Sequence, residues 1–439
     1  MPNEPRSPGP ASEATVGADV STEGPGPGRG TASGVRLVVV LGMLSMFGPI
    51  SLDLYLPALP ALATDLHASA SAAQLSITAC LLGLATGQLV AGPLSDQFGR
   101  RPPLVVGLVV YLLASAACAF APTIELLVVL RLVQGLAGAA GIVVARAVAR
   151  DLYSGRTLVI IFSRLILVNG LAPVLAPVIG GQLALVTSWR GIFVVLAAFG
   201  VVLLAAGVFG VPESLPPARR RAGGVRDTLR SFRTLLVDRL FVAVVLAAGL
   251  AGASMFAYIA GATFVLQRLY GLSPQQFSFA FGSNALGIMV LGQVGARLAH
   301  RWTPHRVMAL GLGVNLVGAV GLLVTVLVGL GLPFLLGSLF VMVSALGLVF
   351  PTSTALALAD YPDRAGAASS LLGLGQYVMG AVVAPLVGLA GEETAVPLGV
   401  VAAACSVAAC AIFFGIALPA LHRSRLVEPD GVQPPQTPA

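Results

Sequence analysis

Twelve apolar runs, each about as long as a bilayer core is thick, constrain this chain more than any other feature. They fall near 36–58, 74–94, 103–121, 124–148, 157–182 and 190–211, and again near 240–265, 275–297, 306–328, 333–358, 366–389 and 396–418. Backbone inside hydrocarbon must satisfy its own polar groups, and a helix does so with about 20 residues per crossing. The chain is 57% hydrophobic and 10% charged, with a mean hydropathy of +0.93, whereas a soluble domain carries about a quarter charged residues. A soluble cytosolic enzyme is therefore excluded. The expected fold class is an all-α membrane protein of twelve transmembrane helices in two six-helix halves, 35–211 and 240–420, joined by a basic cytoplasmic linker at 212–239. Residues 1–34, rich in Pro, Gly, Ser and acids, and residues 421–439 read as disordered cytoplasmic tails.

All 25 basic residues are Arg. With the N-terminus inside, 22 of these 25 fall on the cytoplasmic side, leaving Arg190 and Arg268 outside and Arg131 within a span. Orientation follows the basic residues of short loops, so both termini are expected in the cytoplasm of a multi-pass cell (inner) membrane protein. The net charge of +7 is then a topology signal, not a nucleic-acid footprint. Cys80, Cys118, Cys405 and Cys410 lie in apolar stretches and read as small buried hydrophobes. Four scattered His without ligand spacing give no metal site, and no motif calls for a cofactor.

The halves echo one another. AGPLSDQFGRR after the second span has a degraded counterpart in LGQVGARLAHR after the eighth, and APVIGG in the fifth is echoed by APLVGLAG in the eleventh. Duplicated halves around a central site are an architecture of secondary transporters. No phosphate-binding loop of the Walker type is visible, which argues against transport powered by ATP on this chain.

Of 18 acids only Asp53 sits well inside a span, in FGPISLDLYLPALP. A carboxylate in hydrocarbon is costly and marks an ion path or a paired site. Helical rise places Asp53 about 25 Å from Arg36 and Arg131 roughly 10–12 Å from the outer end of the fourth span, comparable depths. The two are expected to be able to pair across the bundle. Asp53 then either carries a proton whose binding follows conformation, with Arg131 tuning it or competing for it, or forms a static ion pair. Gly135, Gly138 and Gly141 recur every third residue beside them and read as helix packing. Gln134 shares a face with Arg131 and is a candidate substrate contact.

GPLSDQFGRRP closes the second span with Gly92, Asp96, Gly99, Arg100 and Arg101. An acid at a helix C-terminus has the wrong sign for the helix dipole, so Asp96 needs a cation. Arg100, Arg101, Arg146 and Arg150 are candidates, with Asp151 available to the arginines. Such a cluster reads as a conformational latch at the cytoplasmic gate, against a plain topogenic turn. In VNGLAPVLAPVIGG of the fifth span, Pro173 and Pro177 remove backbone donors beside Gly180 and Gly181, either as a hinge or as kinks without function. Asn169, Met255, Tyr258, Asn284, Gln376 and Tyr377 are polar or adaptable groups within apolar spans. They line a substrate pocket or make interhelical hydrogen bonds.

These residues resemble signatures of the major facilitator superfamily over nearly the whole chain, roughly 36–420. GPLSDQFGRRP is similar to the superfamily's signature between spans two and three. RLVQGLAGAAG is similar to the fourth-span signature of proton-coupled members, which places their functional Arg at Arg131 and the following Gly at Gly135. NGLAPVLAPVIGG resembles the fifth-span antiporter signature but has Ala176 where Gly is usual before Pro177. LDLYLPALP, RAVARDLY and SWRGIF look most like the Bcr/CflA branch of drug:proton antiporters, with Asp53 at that branch's first-span acid. The resemblance implies a major facilitator fold in the lipid bilayer, acting as a monomer, that exports small amphiphilic substrates such as phenicol-type antibiotics in exchange for protons. The alternative is a proton-coupled symporter, or an exporter of an endogenous metabolite, on the same fold.

Overall fold

The computed structural model describes residues 31–220, 224–361, 365–388 and 394–421, and among these the regular structure is helical. The expected tails lie outside the described residues except for 31–34 and 421. The first half comprises α1 (Thr31–Ser45), α2 (Phe47–Asp53), α3 (Leu59–Asp65), α4 (Ala70–Phe98), α5 (Arg101–Ala119), α6 (Ile124–Leu152), α7 (Gly155–Val186) and α8 (Trp189–Gly210). After α9 (Gly224–Val237) the second half comprises α10 (Arg239–Phe264), α11 (Pro274–Leu298), α12 (Pro304–Val328), α13 (Leu332–Ser344), α14 (Leu346–Ala359), α15 (Ala365–Val383) and α16 (Val396–Ile412).

Ten helical segments are long and apolar enough to cross a membrane, and the bent segment from α1 to α3 makes an eleventh. The 32-residue α7 carries a shorter apolar stretch, Gly170–Val186, so the described residues give ten or eleven crossings where twelve were expected. The first crossing bends by 43° at Met46. Pro49 explains the position, because its ring lacks an N–H and crowds the carbonyl four residues back, at Ser45. Two prolines inside α7 cause no comparable break, and the helix continues from Gly155 to Val186.

Within each half, glycine brings paired helices to backbone contact. A Cβ on Gly135 of α6 would stand 2.2 Å from the Cys80 carbonyl of α4, and one on Gly347 of α14 would stand 2.2 Å from the Ile288 carbonyl of α11. The segment expected as a linker is not wholly irregular, since α9 packs Phe232 and Leu235 into the second half's core. At the Arg-poor end the halves are joined directly. Gln267 Nε2 donates to the Pro57 carbonyl at 3.1 Å and Gln275 Nε2 to that of Gly181 at 2.8 Å. Arg268 reaches the Pro60 carbonyl at 2.9 Å and Thr64 Oγ1 at 2.5 Å. Gln267 and Arg268 sit on a π-helical turn, Val265–Leu269, that ends α10; single π turns recur at functional positions.

Candidate transport site

Between the halves lies a cavity of about 310 Å³. The first half supplies Asp53, the last residue of α2, together with Gly48, Pro49, Leu52, Gly170 and Pro173. The second half supplies an aromatic and thioether wall of Met255, Phe256, Tyr258, Phe281, Met289, Phe350 and Tyr377, with Asn284 and Gln376 as its amides. Asn284 Nδ2 donates to Tyr258 Oη at 2.7 Å, and the Tyr258 ring stacks on Phe281 with centroids 5.3 Å apart. Asp53 is 5% exposed, and no described residue gives its carboxyl a hydrogen bond or an ion pair. It is the single acid in the cavity lining.

Five of the seven substrate candidates therefore meet at one cavity: Met255, Tyr258, Asn284, Gln376 and Tyr377. Gln134 does not, and the side chain of Asn169 lies outside the described residues. Phe256, Phe281, Met289 and Phe350 were not distinguishable in the sequence, where an apolar residue facing a cavity has the same periodicity as one facing lipid or core.

The expected pairing of Asp53 with Arg131 is corrected. Arg131 is fully buried inside the first half, away from the cavity lining. Its Nη2 donates to the Ser51 carbonyl at 2.8 Å and its Nη1 to Gln134 Oε1 at 2.5 Å. The guanidinium lies 4.4 Å from the Tyr55 ring centroid and 5.6 Å from that of Phe193, cation–π distances. Gln134 in turn donates to Ser115 Oγ at 2.7 Å, while Ser51 Oγ and Tyr111 Oη share a hydrogen bond of 2.9 Å. Arg131 thus acts on α2 through its backbone. The Ser51 carbonyl is among the last of that helix and lacks an intrahelical partner, and a cation there suits the helix dipole.

At the Arg-rich end, Arg100 gathers the predicted cluster. It donates to Asp96 at 2.5 Å, to Asp151 at 2.7 Å and to Ser95 at 2.8 Å. Arg150 is exposed and outside this cluster, a second correction. Its place is taken by Glu213, whose carboxylate accepts the backbone N–H groups of Arg100 at 2.9 Å and Arg101 at 3.1 Å, where α5 begins. Partial burial works to raise the Glu213 carboxyl, but the N–H groups of Arg100, Leu215 and Arg101 and the charge of Arg220 hold it below the ordinary Glu range. Gly99 has φ +95, a left-handed conformation that favours glycine, and a Cβ there would meet Glu213. Arg101 spends its guanidinium on the Val208 carbonyl, and a Cβ on Gly92 would meet Val143 at 4.0 Å, ordinary van der Waals contact. Every member of this cluster comes from the first half or the segment just after α8.

The hinge candidates divide. Pro173 lines the cavity, and Pro177 is helical and outside it. Gly180 and Gly181 let α7 approach the other elements, since Cβ atoms there would stand 1.9 Å from the Leu54 carbonyl and 2.3 Å from Ser278 Oγ. SWRGIF is also accounted for. Trp189 Nε1 and Arg190 bind the Asp65 carboxylate at 3.0 and 2.5 Å, and Phe193 flanks Arg131.

The family model of the Major Facilitator Superfamily matches residues 39–385. The chain is 38% identical over 388 residues to an uncharacterized MFS-type transporter, YdgK, of Bacillus subtilis, covering 87% of this chain and 95% of that one. It is 30% identical over 371 residues to a bicyclomycin resistance protein homolog of Haemophilus influenzae, covering 84% and 93%. Among solved structures, a bacterial homolog of the human lysosomal transporter Spinster, inward-facing and unoccupied, superposes with a TM-score of 0.72 at 14% identity, covering 90% of this chain and 98% of that one.

Proposed function

The chain belongs to the major facilitator superfamily, among the Bcr/CflA-type relatives, and on that premise we propose that it exports small amphiphilic drugs, phenicol-type antibiotics included, in exchange for protons. It is a multi-pass membrane transporter and not an enzyme. The observation that carries the proposal is the lone carboxyl of Asp53, without a fixed partner, in a cavity whose opposite wall is aromatic and methionine-rich. Such a wall adapts to different apolar shapes. A single carboxyl offers one exchangeable charge, which suits neutral or weakly charged cargo.

In the proposed orientation the Arg-rich end is cytoplasmic, in the inner membrane, and the chain works as a monomer. Asp53 takes a proton when the cavity faces outward, which helps release cargo; after reorientation the proton leaves inward and cargo binds again. Arg131 holds α2, and with it Asp53, in place through this cycle. The Asp96–Arg100–Asp151–Glu213 cluster keeps the cytoplasmic end of the first half moving as one body while the gate between the halves opens and closes. Wild-type proteoliposomes loaded at a stated pH are expected to move protons when chloramphenicol is added. Cells carrying the transporter are expected to accumulate less of that drug. Increased accumulation would favour the symport alternative, and proton-independent efflux would overturn the coupling.

The outer seal makes a separate prediction. Removing the Gln267 and Arg268 hydrogen bonds by a Gln267→Ala/Arg268→Ala double variant is expected to favour the outward-open state by about 2 kcal/mol, roughly a 30-fold shift in the ratio of states. Spin-label distances between α3 and α11 across the outer end report it as a longer population. An unchanged distribution would remove these residues from the gate.

A further inference from the structure

The segment joining the two halves carries a surface that the transport cycle does not use. Helix α9 is separated from the membrane-crossing α10 by Asp238 alone, so its C-terminal end is held at the membrane surface. One face is anchored. Phe232 and Leu235 pack into the core cluster of the second half, and Leu89 of α4, from the first half, packs against that same cluster. Helix α9 touches α4, α10 and α15, and therefore lies across the seam between the halves.

The opposite face is charged. Arg230 and Arg233 are exposed, as is Arg239 just beyond the helix, and among the described residues none of the three side chains has an ion pair or hydrogen bond. Asp238, which directly precedes Arg239, is already engaged by the Leu240 N–H at 2.8 Å and Tyr361 Oη at 2.7 Å. The two flanks of the stripe differ. At about 100° per residue, Leu236 lies about 60° from Arg233 on one side and Thr234 lies beyond Arg230 on the other. Leu236 is 58% exposed on that flank, and Val237, which falls between Arg230 and Arg233 but in the last position of the helix beside the start of a span, is 77% exposed. A helix bathed only in cytosol has no use for bare aliphatic side chains there, whereas a helix lying in a lipid interface does.

We infer that α9 is an interfacial helix whose Arg230, Arg233 and Arg239 bind the phosphate groups of anionic phospholipids in the leaflet at the Arg-rich end, with Leu236 and Val237 in the acyl boundary. Guanidinium matches phosphate with parallel hydrogen bonds, and a juxtamembrane cluster of Arg attracts anionic lipid. Lipid bound here sits on a helix that touches both halves at this end, and so is placed to bias their relative position.

The test reads lipid binding, so it is independent of the cargo and of proton coupling. Purified full-length chain is equilibrated with mixed micelles of equal phosphatidylcholine and phosphatidylglycerol, captured, and its retained lipid quantified. The wild type is expected to retain phosphatidylglycerol over phosphatidylcholine by at least ~3-fold, and an Arg230→Gln/Arg233→Gln/Arg239→Gln variant with unchanged melting is expected to retain the two equally. High salt is expected to erase the wild-type preference. Equal retention by the wild type would overturn the inference. So would an equal loss in an Arg297→Gln/Arg301→Gln control, which would make the preference a bulk property of the basic end. Wild type that ignores phosphatidylglycerol but binds a polyglutamate peptide would assign the surface to an acidic protein instead.

Discussion

Asp53→Asn is expected to abolish cargo-dependent proton movement in proteoliposomes while leaving the fold intact. The carboxyl has no hydrogen bond or ion pair to lose among the described residues, and an amide fills the same volume without a charge to desolvate. Thermal melting in detergent should therefore match the wild type or lie slightly above it. Proton flux should fall by ~100-fold or more, as when a positioned proton-transfer group is removed. Cargo binding should persist and lose its pH dependence, because the aromatic wall of the second half is untouched. Flux at the wild-type level would take the proton site away from Asp53; since no other acid lines the cavity, it would also make coupling at this cavity untenable. A variant that neither moves protons nor binds cargo would make Asp53 part of the cargo site.

The sequence was most informative about depth and least about azimuth. Apolar run length and Arg placement located the crossings and the two halves, because the cost of burying backbone and charge in hydrocarbon acts along the membrane normal. The same reasoning put Asp53 and Arg131 at one level. It could not see which way each faces. Ser51 and Asp53 are two residues apart on α2 and so about 200° apart around it. Ser51 turns into the first half, toward Tyr111 and Arg131, and Asp53 turns to the cavity. Hence two groups at one depth serve opposite sides of one short helix.

Partners distant in the chain were equally hidden. Asp96 announced its need for a cation through its place at a helix end, and Arg100, one turn on, meets it. Glu213 is 113 residues from Arg100 and gave no such local signal. It became visible only when the end of α8 was brought beside the start of α5. The bend at Met46 was legible in principle from Pro49. The difference from Pro173 and Pro177 was not, because whether a proline breaks a membrane helix depends on what its neighbours supply.

Arg131→Ala is expected to produce the largest loss of stability among single substitutions at these sites, on the order of 4 kcal/mol. Two hydrogen bonds from a charged donor disappear, the Ser51 carbonyl and Gln134 Oε1 are left buried without them, and a large side chain leaves a void between Tyr55 and Phe193. The melting temperature in detergent should fall far below that of Asp53→Asn. Arg131→Lys should recover only part of the loss, because an ammonium cannot reach two acceptors and cover two rings as a planar guanidinium does. If the alanine variant is not recovered folded, the lysine variant carries the comparison alone. A double-mutant cycle then separates the two accounts of Arg131. With the guanidinium bound to the backbone of α2 rather than to the carboxyl, the coupling energy between Asp53→Asn and Arg131→Lys should stay below about 1 kcal/mol. A coupling of ~3 kcal/mol, the scale of a broken buried ion pair, would reinstate the cross-bundle pair and return Arg131 to direct control of the proton.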